Sequence, residues 1–172
     1  KNDNNFIIKL LPKDKEHEII LFKTEQNFKS IAKMTNEIEK LTEIGKSEKK
    51  NKKVNWKYYY SEEDIVIIPK FNFNIETNYT NLEGNRFNSN KQNFQIERAW
   101  QRTAFILDES GAEIESEAEI AVAVEEMEEE YEKPKPKKMV FDKPFLILLK
   151  RIDAKNPYFG LWTTNTELMT KE

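Results

Sequence analysis

The residues able to do chemistry are few. His17 is the only histidine and cysteine is absent from all 172 residues. Disulfides, thiolate zinc sites, cysteine nucleophiles and iron–sulfur clusters are therefore excluded. A histidine base needs a nucleophile and an orienting carboxylate. His17 follows Lys15-Glu16 in a stretch that reads as a turn, so it is read as a solvated loop residue. Carboxylates are abundant, but they lie in runs. The glutamates of 125–132 lack the spaced oxygen ligands and central glycine of a calcium loop. They are read as a solvated charge run. Paired carboxylates for glycoside hydrolysis must converge from separate places, and none announces itself. There is no G-x-G-x-x-G and no Walker motif. The chain is read as not an enzyme, with no cofactor and no metal.

Other groups could bind rather than react. Trp56, Tyr58, Tyr59 and Tyr60 could form a stacking platform. A packing face is the simpler reading, because aromatic rings bury large apolar areas. Lys46 to Lys53 is a basic loop. The KPKPKK of 133–138 suits an extended spacer. Net charge is -3, from 28 basic and 31 acidic residues, which gives no electrostatic footprint for nucleic acid. Asn78-Tyr79-Thr80 is an N-glycosylation sequon that matters if the chain enters a secretory route.

The elements that must position these groups follow from composition and periodicity. Charged residues make up 34% and aromatic residues 12%, with a mean hydropathy of -0.80. The surface is therefore very polar, yet the aromatic content is too high for a disordered chain. The length suits one domain or a large part of one. No apolar run approaches the roughly 18 residues of a membrane helix. The chain starts at Lys1 without a signal peptide, and is read as processed or as part of something longer. Absence of cysteine fits a reducing compartment, which marginally favours an intracellular location over secretion.

The spacing predicts a mainly β, α+β fold with antiparallel sheets and one clear helix. Phe6 to Leu11 reads as a strand stopped by Pro12, and Glu18 to Phe22 as a second. Phe28, Ile31, Ala32, Ile38 and Leu41 recur at helical spacing, with Thr24 as N-cap and Gly45 as stop. Trp56 to Tyr60 and Ile65 to Ile68 are β-rich. Phe71, Phe73 and Ile75 alternate with polar residues, as in a half-buried strand. Asn81 to Asn93 reads as a loop, and Phe94 to Leu107 resumes strand character. In 112–124, Ala112, Ile114, Ser116, Ala118, Ile120, Val122 and Val124 share one parity and four glutamates take the other. Period two predicts a long strand with one dry face. The charged 125–138 reads as a mobile loop.

Residues 139–149, Met-Val-Phe-Asp-Lys-Pro-Phe-Leu-Ile-Leu-Leu, resemble the C-terminal signature of serpins. Phe141, Asp142, Lys143, Pro144 and Phe145 match its aromatic, Asp/Asn, basic, Pro and Phe positions. Phe145 to Leu149 is apolar without alternation, which suits a strand buried on both faces. Upstream, 102–111 is similar to the strand and turn that enter a serpin reactive loop. Ile67 to Phe73 is similar to the family's aliphatic-Pro-basic-Phe strand. Glu18 to Phe22 and the following helix resemble the preceding strand and helix. Tyr158 to Trp162 resembles the last strand, with its glycine. The resemblance covers nearly the whole of 1–172 but only the second half of a serpin: a single serpin-like domain or half-domain, with 125–138 a reactive-loop-like segment.

The resemblance implies a hinge at Gly111, Ala112, Glu113, Ile114, Glu115, Ser116, Glu117 and Ala118. The family's hinge is a run of small residues; here Ile114 is bulky and the glutamates repel one another. Counting forward from the loop entry puts the scissile position near Glu125, and counting back from Pro144 puts it near Lys133. Two functions follow. One is a non-inhibitory structural or binding subunit that packs against a protein partner, a larger assembly or an N-terminal serpin half, because a half-fold would leave strands such as 145–149 bare. The other is inhibition of a serine- or cysteine-type endopeptidase by reactive-loop insertion, with that protease as partner.

Overall fold

The computed structural model describes residues 3–49, 60–108 and 136–170. It is mainly β with one helix and several antiparallel sheets, as the sequence predicts. The chain divides into two compact units, Lys1–Pro69 with Glu109–Thr166 and Lys70–Asp108 with Glu167–Glu172.

The first unit is built on a four-stranded antiparallel sheet. It contains β1 (Phe6–Leu10), β2 (His17–Lys23), β9 (Phe145–Arg151) and β10 (Phe159–Thr163), in the order β1-β2-β9-β10. The register pairs Phe22 with Leu146 and Ile20 with Leu148, and Leu148 with Gly160. These positions share one face, since side chains alternate along a strand. The helix α1 (Ile31–Lys49) lays Met34 and Ile38 on that face, against Ile20, Phe22, Leu146 and Leu148. Ile7, Phe28 and Trp162 close the edge of the cluster.

The opposite face carries Leu21, Phe145 and Ile147, each 0% exposed. There Phe141 packs edge-on against Phe145 at 5.0 Å and against Phe6 at 5.1 Å. β9 is thus dry on both sides, as its unalternated apolar run predicts. Each fully buried side chain of this size contributes about 1.5–3 kcal/mol. The expectation that 145–149 would be bare does not hold for Phe145 to Leu148, each at most 1% exposed in this chain. A short parallel pair completes the unit: β3 (Ile65–Ile67) against β8 (Lys138–Val140). The charged segment thus ends as a strand at Lys138, and β3 stops one residue before the predicted Ile68.

The helix begins later and ends later than predicted. Thr24 does not cap it. Its hydroxyl donates to Asn5 Oδ1 and accepts from the Gln26 amide, forming a local turn. Ser30 is the cap, with Oγ 3.4 Å from the Lys33 amide nitrogen. Gly45 does not stop the helix. A helical glycine costs about 1 kcal/mol, and the following turn carries Lys46 and Lys49, whose charges suit a helix C-terminus.

The second unit is a two-stranded antiparallel ribbon. β4 (Phe71–Asn78) pairs β7 (Trp100–Leu107), with Phe71, Phe73 and Phe105 packed on one face. Beyond them Tyr79 N–H donates to the Ala99 carbonyl and Gly84 N–H to the Ile96 carbonyl. The ribbon ends in a hairpin of β5 (Arg86–Ser89) and β6 (Gln92–Gln95). Residues 81–93, predicted as a loop, thus contain most of this hairpin. Its two-residue turn places Asn90 at φ 51° and Lys91 at φ 65°, the positive-φ pair of a type I′ turn. Asn-Lys lacks the usual glycine, and the strands offer only Phe87 and Phe94 as apolar signals. Those rings stack across the hairpin at 5.4 Å.

Gly160 fixes how closely α1 approaches the sheet. A β-carbon there would lie 3.2 Å from Leu148 Cδ2 and 3.3 Å from Ile31 Cγ2. Gly160→Val is expected to lower stability by about 1–3 kcal/mol, and Gly160→Ala by less, because both neighbours are side-chain tips. Urea unfolding of the two variants checks the order; equal stability of Gly160→Val and the parent would refute this packing.

Candidate functional site

The residues singled out from the sequence fall into two groups. Gly111 to Ala118, Glu125 and Lys133 lie outside the described residues. So do the alternating segment 112–124, Trp56, Tyr58 and Tyr59. The signature residues Phe141 to Phe145 are described, and hydrogen bonds and ion pairs fix the segment that carries them.

The anchoring begins where the chain returns from 109–135. Asp64, 4% exposed, sits just before β3. Its Oδ1 accepts from the Lys137 amide at 2.7 Å and its Oδ2 from the Ser61 amide at 2.9 Å. Lys137 Nζ lies 2.6 Å from the same Oδ2. Burial opposes the charge, but the hydrogen bonds from Lys137 and Ser61 outweigh it and hold the carboxyl down at about 2. The Lys137 carbonyl then accepts from the Ile65 amide, and the Ile67 carbonyl accepts from Phe141 N–H. One carboxylate therefore sets the register of the β3–β8 pair.

A second clamp follows within three residues. Lys23, the last residue of β2, is 2% exposed. Its ammonium donates to the Val140 carbonyl and to Asp142 Oδ1, both at 2.6 Å, and lies 5.6 Å from the Phe6 ring centroid. The hydrogen bond from Lys23 keeps the Asp142 carboxyl below its ordinary value. Lys143 pairs with Glu25 at 3.0 Å. The basic and acidic positions of the signature thus serve as tethers, and Phe141 and Phe145 as packing. Pro144 directly precedes β9, where its missing N–H breaks no ladder bond.

Lys23, Glu25, Asp64, Lys137 and Phe6 were not singled out from the sequence. Lys23 carried a signal: it continues the parity of Ile19 and Leu21 at the end of an apolar run, which aims it inward. Asp64 gave none, since Ser-Glu-Glu-Asp reads as a surface acidic turn.

His17 is not in a loop. It opens β2, half-buried, with Nδ1 2.5 Å from Asp14 Oδ2 and its ring edge-on to Tyr158. The Glu16 amide and His17 together hold the Asp14 carboxyl below its ordinary value. The pair provides an oriented imidazole. Among the described residues no group of three or more His, Cys, Asp or Glu side chains could hold a metal ion. Among them too, no helix is long and apolar enough to cross a membrane.

No protein-family model matches the chain, and no curated protein or solved structure matches it.

Asp64 generates a pH prediction. Its carboxyl falls from an ordinary 3.8 to about 2 in the folded chain. The stability it contributes is complete above the unfolded value and is lost as pH falls from near 4 toward 2. Asp64→Asn should flatten the fall of stability in that window, measured by urea unfolding at stepped pH. An unchanged slope would refute the assignment. Lys23→Met strips Val140 and Asp142 of their donor and is expected to cost about 1–3 kcal/mol at neutral pH, read in the same assay.

Proposed function

We propose that this chain is a non-inhibitory, serpin-like binding or structural subunit that acts by packing against a protein partner. The observation that carries the reading is the apolar side chains that the β4–β7 ribbon leaves uncovered on both of its faces. Ile106 is 66% exposed on one face and Ile75 41% on the other, and Phe87 and Phe94 are exposed on the hairpin beyond. Two-stranded ribbons are marginally stable alone, and exposed apolar patches on folded chains commonly mark interfaces. In β9, by contrast, Phe145 to Leu148 are at most 1% exposed. The partner-seeking surface is therefore assigned to the ribbon rather than to the signature strand.

The serpin-like part of the proposal rests on the signature at Phe141 to Phe145 and on the succession of elements. A strand and helix precede the aliphatic-Pro-basic-Phe strand, a further strand leads into 109–135, and the signature feeds a buried strand followed by one with Gly160. The hinge sequence Ile114-Glu115-Ser116-Glu117 argues against insertion, because Ile114 is bulkier than the small residues of the family's hinge and the glutamates repel one another along the other face. The inhibitory alternative, with Glu125 or Lys133 as the scissile residue, also needs a recipient sheet. Among the described residues β7 is paired with β4 alone.

The test is the native mass of the protein from its own source, with identification of whatever elutes with it. The expected result is a complex well above the 20.5 kDa of the chain. Ile106→Glu should weaken that complex at least tenfold while leaving the melting temperature unchanged, since the side chain is exposed. Incubation with serine and cysteine endopeptidases should yield cleavage without a detergent-stable adduct. A free monomer would overturn the binding reading, and a covalent protease complex would establish the inhibitory one.

A further inference from the structure

The sequon Asn78-Tyr79-Thr80 closes β4, and the ribbon gives it a setting that the motif alone does not supply. Asn78 and Thr80 are exposed, and the backbone leaves the strand for a turn at Thr80. Across the ribbon Asn78 pairs with Trp100. The neighbouring pair is joined by Tyr79 N–H donating to the Ala99 carbonyl at 2.8 Å. The Asn78–Trp100 pair is therefore of the non-hydrogen-bonded kind, in which facing side chains approach most closely. The two residues lie on the same face of the ribbon.

Trp100 is unusual for so large a ring. It is 50% exposed, with the Arg98 guanidinium over one face of the ring, 5.5 Å from its centroid. Tyr79 sits on the opposite face, where its hydroxyl donates to Gln101 at 2.9 Å, so it does not compete for the Trp100 side. A half-exposed indole beside an exposed acceptor amide is a platform for the apolar face of a pyranose ring, in the way aromatic rings cover the carbon-rich side of polar partners.

From this geometry we propose that Asn78 is an N-glycosylation site and that the first sugar of its glycan packs on Trp100. The co-substrate is a polyprenyl-diphosphate-linked oligosaccharide. Asn78 Nδ2 forms a bond to the anomeric carbon, and the bond from that carbon to the diphosphate oxygen breaks. Polyprenyl diphosphate leaves, and the amide gives up one proton. The modification places the chain in a secretory route. The absence of cysteine is compatible with that, because a closed core such as the β2–β9 sheet holds without disulfides. The glycan would keep the Trp100 end of the ribbon solvated, at the opposite end of β7 from Ile106.

The test is peptide mapping of the protein from its own source before and after peptide-N-glycosidase treatment. The expected result is a glycan on the peptide containing Asn78, lost on treatment with conversion of the asparagine amide to the acid. Unmodified Asn78 in that protein would overturn the proposal. In a secreting eukaryotic host, Asn78→Gln and Thr80→Ala should both lose the glycan, and Thr80→Ser should keep it. Packing on Trp100 has its own readout. Removing the glycan should lower the melting temperature of the parent chain but leave that of Trp100→Ala unshifted. Equal shifts in the two proteins would overturn the packing contact.

Discussion

Four successive side chains of β9, Phe145 to Leu148, are at most 1% exposed, and they point alternately to the two faces of one sheet. Both faces must therefore be dry. This requirement organises the first unit. Leu146 and Leu148 face α1, so the helix has to cross β2, β9 and β10 where Gly160 lets it approach. Phe145 and Ile147 face the other way, so the segment before the strand has to fold back and place Phe141 against Phe145 and Phe6. The strand's neighbours follow too: a central strand with four successive buried side chains needs partners on both edges, and β2 and β10 supply them.

The polar anchors are consequences of the same burial. A segment that enters a core strand through Pro144 has its last amides and carbonyls near the apolar interior, and buried polar groups need partners. Lys23 reaches the Val140 carbonyl and the Asp142 carboxylate; Asp64 takes the Lys137 amide and ammonium. Each clamp joins residues far apart in sequence, so each converts a short parallel strand pair into a fixed boundary for the chain that precedes it. Phe141 to Phe145 are thereby accounted for by fold requirements.

How much of this was legible in the sequence depends on how each element is stabilised. Strands held by apolar side chains were readable: the alternation of Phe71, Phe73 and Ile75 gave β4, and the unbroken run after Pro144 gave β9. The β5–β6 hairpin was not, because its turn uses Asn90 and Lys91 rather than an Asn-Gly signal and its strands are nearly all polar. The helix start was misplaced because Thr24 has the right type for a cap but spends its hydroxyl on Asn5 and Gln26. The signature residues were found by pattern, while their tethers were not. A lysine closing a strand and an aspartate in an acidic turn look solvated until a distant segment folds onto them.

The central claim is that the β2–β9 pair is the anchor of the fold and that the ribbon tip depends least on it. Native-state amide hydrogen exchange tests this most directly. The account predicts that the amides of Ile20, Phe22, Leu146 and Leu148 exchange last, through global unfolding, while those of the β5–β6 hairpin exchange first. Exchange of the β9 amides as early as those of the hairpin would contradict it.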